Sequence, residues 1–186
     1  MQVPDSRALQ EILRQYSDSF SRKTYSAEND DHDVIMDLFG ISPELKRENR
    51  QYWGRELGMC WQLLVTELFR QTVKDFGLGY RIEQDELCDL VSGRDAIDTK
   101  YRIGSGDAGT LKKFKQYGKT LRDQGFTPVF LIVREDNLPA AIQACHVGQW
   151  DVYTGRSTFD YIREKTSVDF LAWLESVGSE YHIQRQ

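Results

Sequence analysis

The sequence has no apolar run approaching the ~20 residues needed to cross a bilayer, so no segment is expected to span a membrane. Its first residues, Met1 to Arg7, lack the apolar centre of a secretory signal, and the expected location is the cytoplasm. Cysteine is scarce. Cys60, Cys88 and Cys145 are odd in number, far apart and free of CxxC spacing, which argues against a disulfide framework and a zinc site. Each lies in an apolar stretch, as a buried free thiol does. His32, His146 and His182 are equally scattered and form no metal-ligand cluster. Proline is also rare, at 4 residues, while aromatics reach 12%, a balance that excludes wholesale disorder. Excess positive charge is missing too: the net charge is −5, which by itself argues mildly against a nucleic-acid partner.

What is present is enough for one packed core. A chain of 186 residues with 40% hydrophobic content suits a single domain better than two. Its charge is unevenly spread. Residues 1–40 hold eight acids against four bases, whereas residues 99–122 hold seven bases (Lys100, Arg102, Lys112, Lys113, Lys115, Lys119, Arg122) against Asp107 alone. Docking of a phosphate backbone depends on local charge rather than the net value.

Apolar spacing predicts a short helix over 6–20, a polar loop over 21–33, a second short helix over Val34–Leu38, and a polar stretch from Pro43 to Arg50. These elements make residues 1–50 an N-terminal helical extension of unassigned role, with the core over residues 51–186. A long helix is expected over 52–76, from Trp53, Leu57, Trp61, Leu64, Leu68 and Val73, with Phe76-Gly77 as its stop. Two strands follow, over 81–91 and 95–103, then a loop at Gly104–Asp107 and a basic helix over about 109–124. Phe126–Val133 is a continuous apolar run suited to a buried central strand. Pro139 opens a helix to about Val147, Trp150–Tyr153 alternates as a strand, and 157–177 is helical, with Ser167 as the cap of a second segment. The fold class is α/β, a mixed central sheet flanked by helices and beginning with an antiparallel hairpin.

The chemistry concentrates on that hairpin. With Gly93-Arg94 as a type II′ turn, Ser92 faces Asp95, and counting outward places Asp89 across from Asp98. Alternation puts Asp98 and Lys100 on one face and Ile97, Thr99 and Tyr101 on the other. Opposed carboxylates repel unless something offsets their charge. Mg2+ does this, since it takes one or two carboxylates together with water and substrate phosphate. Lys100 adds a positive charge beside the scissile phosphate or the attacking water.

Asp89 followed by Asp98-Thr99-Lys100 resembles the acid and (D/E)-x-K signature of the PD-(D/E)xK nuclease superfamily, over roughly residues 52–155. The residue before Asp89 is Cys88 where the signature has proline, and the second acid is Asp98 where Glu is commoner. The resemblance implies a restriction-endonuclease-like core and Mg2+ held by Asp89 and Asp98. It implies Glu56 as a further metal ligand from the preceding helix, and Lys100 as the catalytic residue that orients or activates the water and stabilises the transition state. Lys112, Lys113, Lys115 and Gln116 would place the DNA backbone. The stretch Tyr101–Asp107, with Lys112–Tyr117, looks like restriction endonucleases of the ApaLI type. Double-stranded DNA is the implied substrate, and a homodimer is implied because one site cuts one strand. The other readings are a structure-specific repair or junction-resolving nuclease and a non-catalytic DNA-binding domain on the same fold. In the plainer reading of the residues, Glu56 is a solvated residue near a helix start, and Asp95 is a turn flank.

Overall fold

The computed structural model describes residues 27–177 and 181–183. The helix expected over 6–20 lies outside them. The first described helix, α1 (Val34–Phe39), starts where the Asp33 carboxylate accepts from the Ile35 and Met36 amides and ends at Gly40. The polar stretch after it is helical. Ser42 accepts from the Leu45 amide and Pro43 takes the first turn, so residues Pro43–Glu48 form α2.

Helix α3 runs over Arg50–Thr72 and stops short of its expected end. Its buried stripe is Leu57, Trp61, Val65 and Phe69. Phe76-Gly77 does not end the helix but belongs to a strand, β1 (Phe76–Leu78), which the helical spacing through Val73 had masked. The single extended segment expected over 81–91 is also broken. Glu83 turns at φ 54, folding β2 (Arg81–Ile82) onto β3 (Asp85–Glu86) before β4 (Leu90–Ser92) begins.

The remaining elements are β5 (Asp95–Lys100), α4 (Ala108–Asp123), β6 (Thr127–Ile132), α5 (Pro139–Val147), β7 (Asp151–Thr154), α6 (Arg156–Thr166) and α7 (Phe170–Val177). Ser167 does not cap α7. It closes α6 in the left-handed region at φ 61, and Asp169 instead accepts from the Ala172 amide.

Among the described residues the main sheet has the order β1-β4-β5-β6-β7, antiparallel up to β5 and parallel beyond it. Parallel neighbours require crossovers, which α4 and α5 supply. Strand β6 is therefore central, and Val129 to Ile132 are almost wholly buried. Its alternation splits the core. Val129 and Leu131 join Ile97 and Trp61 on the α3, α6 and α7 side, whereas Phe130 and Ile132 join Ala96, Phe114, Leu121 and Cys145 on the α4 and α5 side. Trp61 donates to the Leu131 carbonyl at 3.2 Å, and Trp150 donates to the Phe114 carbonyl at 2.8 Å. Gly118 permits the close α4 contact here, since a Cβ would lie 2.1 Å from the Gly148 carbonyl oxygen. No helix among the described residues is long and apolar enough to cross a membrane.

Residues 34–48, assigned by pattern to the extension, are packed into this core. Ile35, Met36, Leu38 and Ile41 sit in the same cluster as Leu57 and Trp61. They are joined to it by a buried ionic network the sequence does not announce. Arg134, 4% exposed, pairs with Asp33 at 3.0 Å and with Asp136 at 2.8 Å. Lys46, also 4% exposed, pairs with Glu28 and donates to the Tyr101 hydroxyl, which donates in turn to Asp33. Removing one partner of such a pair leaves an uncompensated buried charge. Arg134→Ala is expected to lower unfolding stability by about 3–5 kcal/mol, measured by urea denaturation. A loss below about 1 kcal/mol, the scale of an exposed pair, would show the network to be peripheral.

Candidate functional site

The hairpin forms with the expected turn and register. Gly93 takes φ 58 while Arg94 keeps a negative φ, the sign pattern of a type II′ turn. Ser92 pairs with Asp95 and Leu90 with Ile97. The ladder ends at Leu90, so the Thr99 amide has no strand residue to pair with. The Asp89 side chain takes that place, accepting from the Thr99 amide at 2.7 Å and the Thr99 hydroxyl at 2.6 Å through Oδ2. Its other oxygen accepts from the Gln62 amide nitrogen, on α3, at 2.8 Å.

Asp98 and Lys100 share one face of β5 with Ala96, as alternation requires. Their neighbours on β6 are Phe130 and Ile132, so both charges stand over the apolar layer facing α4 and α5. Lys100 donates to Asp98 Oδ1, and its ammonium lies 5.9 Å from the centre of the Phe130 ring. The Asp98 side chain is 15% exposed. Burial pushes its pKa up to about 7, opposed by Lys100 and reinforced by the Asp89 charge. Burial alone would lower the Lys100 pKa, but Asp98 and Asp89 outweigh it and the net shift is upward. Burial also lifts the Cys88 thiol to about 11 and Cys145 to about 12, so neither supplies a thiolate nucleophile near neutral pH.

Asp98 and Lys100 thus sit together on β5, with Asp89 beside them at the strand end, and these three are the candidate site. Glu56 does not join them. It is exposed, pairs with Arg55 at 3.0 Å, and lies in a groove with Met59, Cys60, Leu63, Leu64 and Glu67. Among the described residues no three His, Cys, Asp or Glu side chains gather in a metal-holding group. The residue of α3 that does reach the site is Gln62. Its sequence signal is weak: a polar side chain directly after the buried Trp61, flanking the buried stripe. Asp95 is an anchor, bonded by the Tyr161 hydroxyl at 2.8 Å and by Lys165 at 2.7 Å.

Two hard carboxylates with spare lone pairs suit Mg2+. Asp98 Oδ1 accepts from Lys100 and Asp89 Oδ1 from Gln62, and the two carboxylates lie within hydrogen-bonding reach of each other. The donor set fits the ion in kind, through two carboxylates rather than three.

The basic run divides by environment. On α4, Phe114, Gly118 and Leu121 turn inward, leaving Lys112, Lys113, Lys115, Gln116 and Lys119 exposed. Lys113 pairs weakly with Asp85 at 3.7 Å. Arg102 is tied to Asp136 at 3.0 Å and to the Ala27 carbonyl, and Arg122 to Asp151 at 3.3 Å. These arginines brace the fold, and the lysines stay exposed on α4. A cavity of about 550 Å³ opens elsewhere, between α1, α6 and α7, but its charged lining includes Asp33, Arg134 and Asp136, already engaged in the ionic network.

No family model, curated protein or solved structure matches the chain.

The raised Asp98 pKa has a consequence for stability. In the unfolded chain Asp98 ionises near 3.9, and in the folded chain near 7. Between these values the folded state binds the extra proton, so this group's contribution falls as pH rises from about 4 to 7. In metal-free buffer Asp98→Asn is expected to match wild type near pH 4 and to melt higher at pH 8. Equal melting temperatures at pH 8 would contradict a raised Asp98 pKa.

Proposed function

We propose that the protein is a Mg2+-dependent endodeoxyribonuclease of the PD-(D/E)xK kind, cutting double-stranded DNA at a specific sequence in the manner of type II restriction endonucleases. The observation that supports this reading best is the convergence of Asp89, Asp98 and Lys100 on one hairpin, with both carboxylates retaining acceptor capacity. The exposed lysines of α4 lie on the same side of the sheet and suit a phosphate backbone.

In this reading Asp89 and Asp98 hold the ion. An ion bound there would supply a lowered water pKa and positive charge next to the reacting phosphate. Lys100 supplies positive charge at the same position. Its ammonium is held by Asp98, so it enters the reaction already oriented, and its raised pKa keeps it protonated at neutral pH. It therefore acts as a charge stabiliser and water-orienting donor rather than as a free base. Lys112, Lys115 and Gln116 contact backbone phosphates, and a homodimer brings a second site to the other strand.

The test is incubation with supercoiled plasmid and a larger genomic DNA, in Mg2+ and in EDTA. Discrete Mg2+-dependent fragments are expected, with rates lowered at least about 100-fold in Lys100→Ala and Asp98→Ala. Lys112→Ala combined with Lys115→Ala is expected to weaken binding uniformly across sequences and to reduce the salt-dependence slope by about 2. Cleavage of branched DNA alone would move the assignment to a structure-specific repair or junction-resolving nuclease. Metal-independent binding with no cleavage of any DNA would leave a non-catalytic DNA-binding domain.

A further inference from the structure

We infer that Gln62 is the positioning residue through which α3 serves the cation site, and that the site takes a single divalent ion. This rests on the reading of Asp89 and Asp98 as metal ligands. A carboxylate can only accept hydrogen bonds, so the amide nitrogen of Gln62 must be the atom facing Asp89, at 2.8 Å from Oδ1. With the Thr99 amide and hydroxyl on Oδ2, three donors fix the carboxylate in one orientation.

The same bonds limit what Asp89 can give. Each carboxylate oxygen has two lone-pair positions. Both on Oδ2 are taken by Thr99, and one on Oδ1 is taken by Gln62. Asp89 is left with one acceptor position, aimed by Gln62. Asp98 Oδ1 is engaged by Lys100, which leaves Oδ2, and the two carboxylates lie within hydrogen-bonding reach of each other, a contact that needs a proton or a cation between them. One free position on Asp89 and one free oxygen on Asp98 serve one ion. No third acidic or histidine ligand stands ready for another among the described residues. The second positive charge is Lys100 itself, held between the Asp98 carboxylate and the Phe130 ring. Gln62 reaches the site from a rigid element, since the buried Trp61 beside it is pinned to the Leu131 carbonyl. A donor that orients a ligating carboxylate typically changes metal affinity 10–100-fold when removed.

The experiment is calorimetric titration of the full chain with MnCl2, Mn2+ being an oxygen-preferring probe for the Mg2+ site. Wild type is expected to bind about one ion per chain. Gln62→Ala and the near-isosteric Gln62→Met are expected to weaken binding about 10–100-fold, with melting temperatures in EDTA close to wild type. Gln62→Glu, which adds a carboxylate at the same place, is expected to bind more tightly than wild type. Affinities of both Gln62→Ala and Gln62→Met within twofold of wild type, with Asp98→Ala abolishing binding, would overturn the inference and leave the two-carboxylate reading standing. Two ions per wild-type chain would overturn the single-ion assignment. No Mn2+ binding by wild type would overturn the inference and the cation-site reading together.

Discussion

The carboxylate of Asp98 is the constraint around which the site is organised. It stands on a strand paired in parallel with the buried β6, facing Phe130. A lone ionised group cannot be held there cheaply, and such a group shifts its pKa or acquires a partner. Asp98 does both. Lys100, two residues on and therefore on the same face, is the partner strand geometry makes available. Asp89 presses in the other direction, raising the charge density that the shift records. The fold thus holds two carboxylates and one ammonium where apolar packing would be simpler. An arrangement that local stability does not favour is where a functional role is most readily inferred.

The end of β5 serves two charge systems at once. Asp98 and Lys100 point to the α4 and α5 side, whereas Thr99 and Tyr101 alternate to the other. Thr99 clamps Asp89. Tyr101 enters the network of Lys46, Asp33 and Arg134. The backbone beside them is fixed as well: the Lys100 carbonyl accepts from the Val133 amide at 3.1 Å, and the Tyr101 carbonyl accepts from the Arg134 amide at 3.1 Å. Lys100 is therefore set by its strand, by Asp98 and by a buried network rooted in the loop before α1. Coupling of this kind makes residues far from the motif contribute to its geometry without touching a substrate.

What the sequence made legible follows from the range of the signal. Gly93, Gly125 and Pro139 mark boundaries because their backbone constraints are local. The run at 126–133 marks the central strand because burial on both faces leaves no polar position. The hairpin register from Ser92 and Asp95 outward to Leu90 and Ile97, and the shared face of Asp98 and Lys100, followed from a two-residue turn and alternation, both local rules. The misses are of another kind. Strand β1 was hidden because an apolar residue at 76 also continues the helical spacing, and only pairing with β4 decides its state. Arg134 and Asp33 are 101 residues apart, and no pattern in a single sequence links them. Glu56 was taken from the resemblance as the acid on the preceding helix, yet helix rotation decides which side chain reaches Asp89, and six residues of α3 place Glu56 and Gln62 on different faces.

Electrostatics at the surface depends on which charges the interior has already used. The seven bases of residues 99–122 look equivalent in sequence, and the chain as a whole is acidic. Folding separates them. Lys100 is held by Asp98, Arg102 by Asp136 and Arg122 by Asp151, while Lys112, Lys115 and Lys119 form no ion pair among the described residues. Arginine serves the bracing contacts because its planar fork reaches a carboxylate and a carbonyl together, as Arg102 does at Asp136 and Arg122 does at Asp151 and the Gln149 carbonyl. Lysine, a mobile point charge, is left on the outer face of α4. A net charge of −5 therefore does not oppose a local positive face. The acids that produce it are partly withdrawn, since Glu28, Asp33 and Asp136 are spent on buried cations. At physiological ionic strength interactions beyond a Debye length of ~8 Å are screened. An approaching anion then responds to the nearest exposed lysines more than to the sum over the chain.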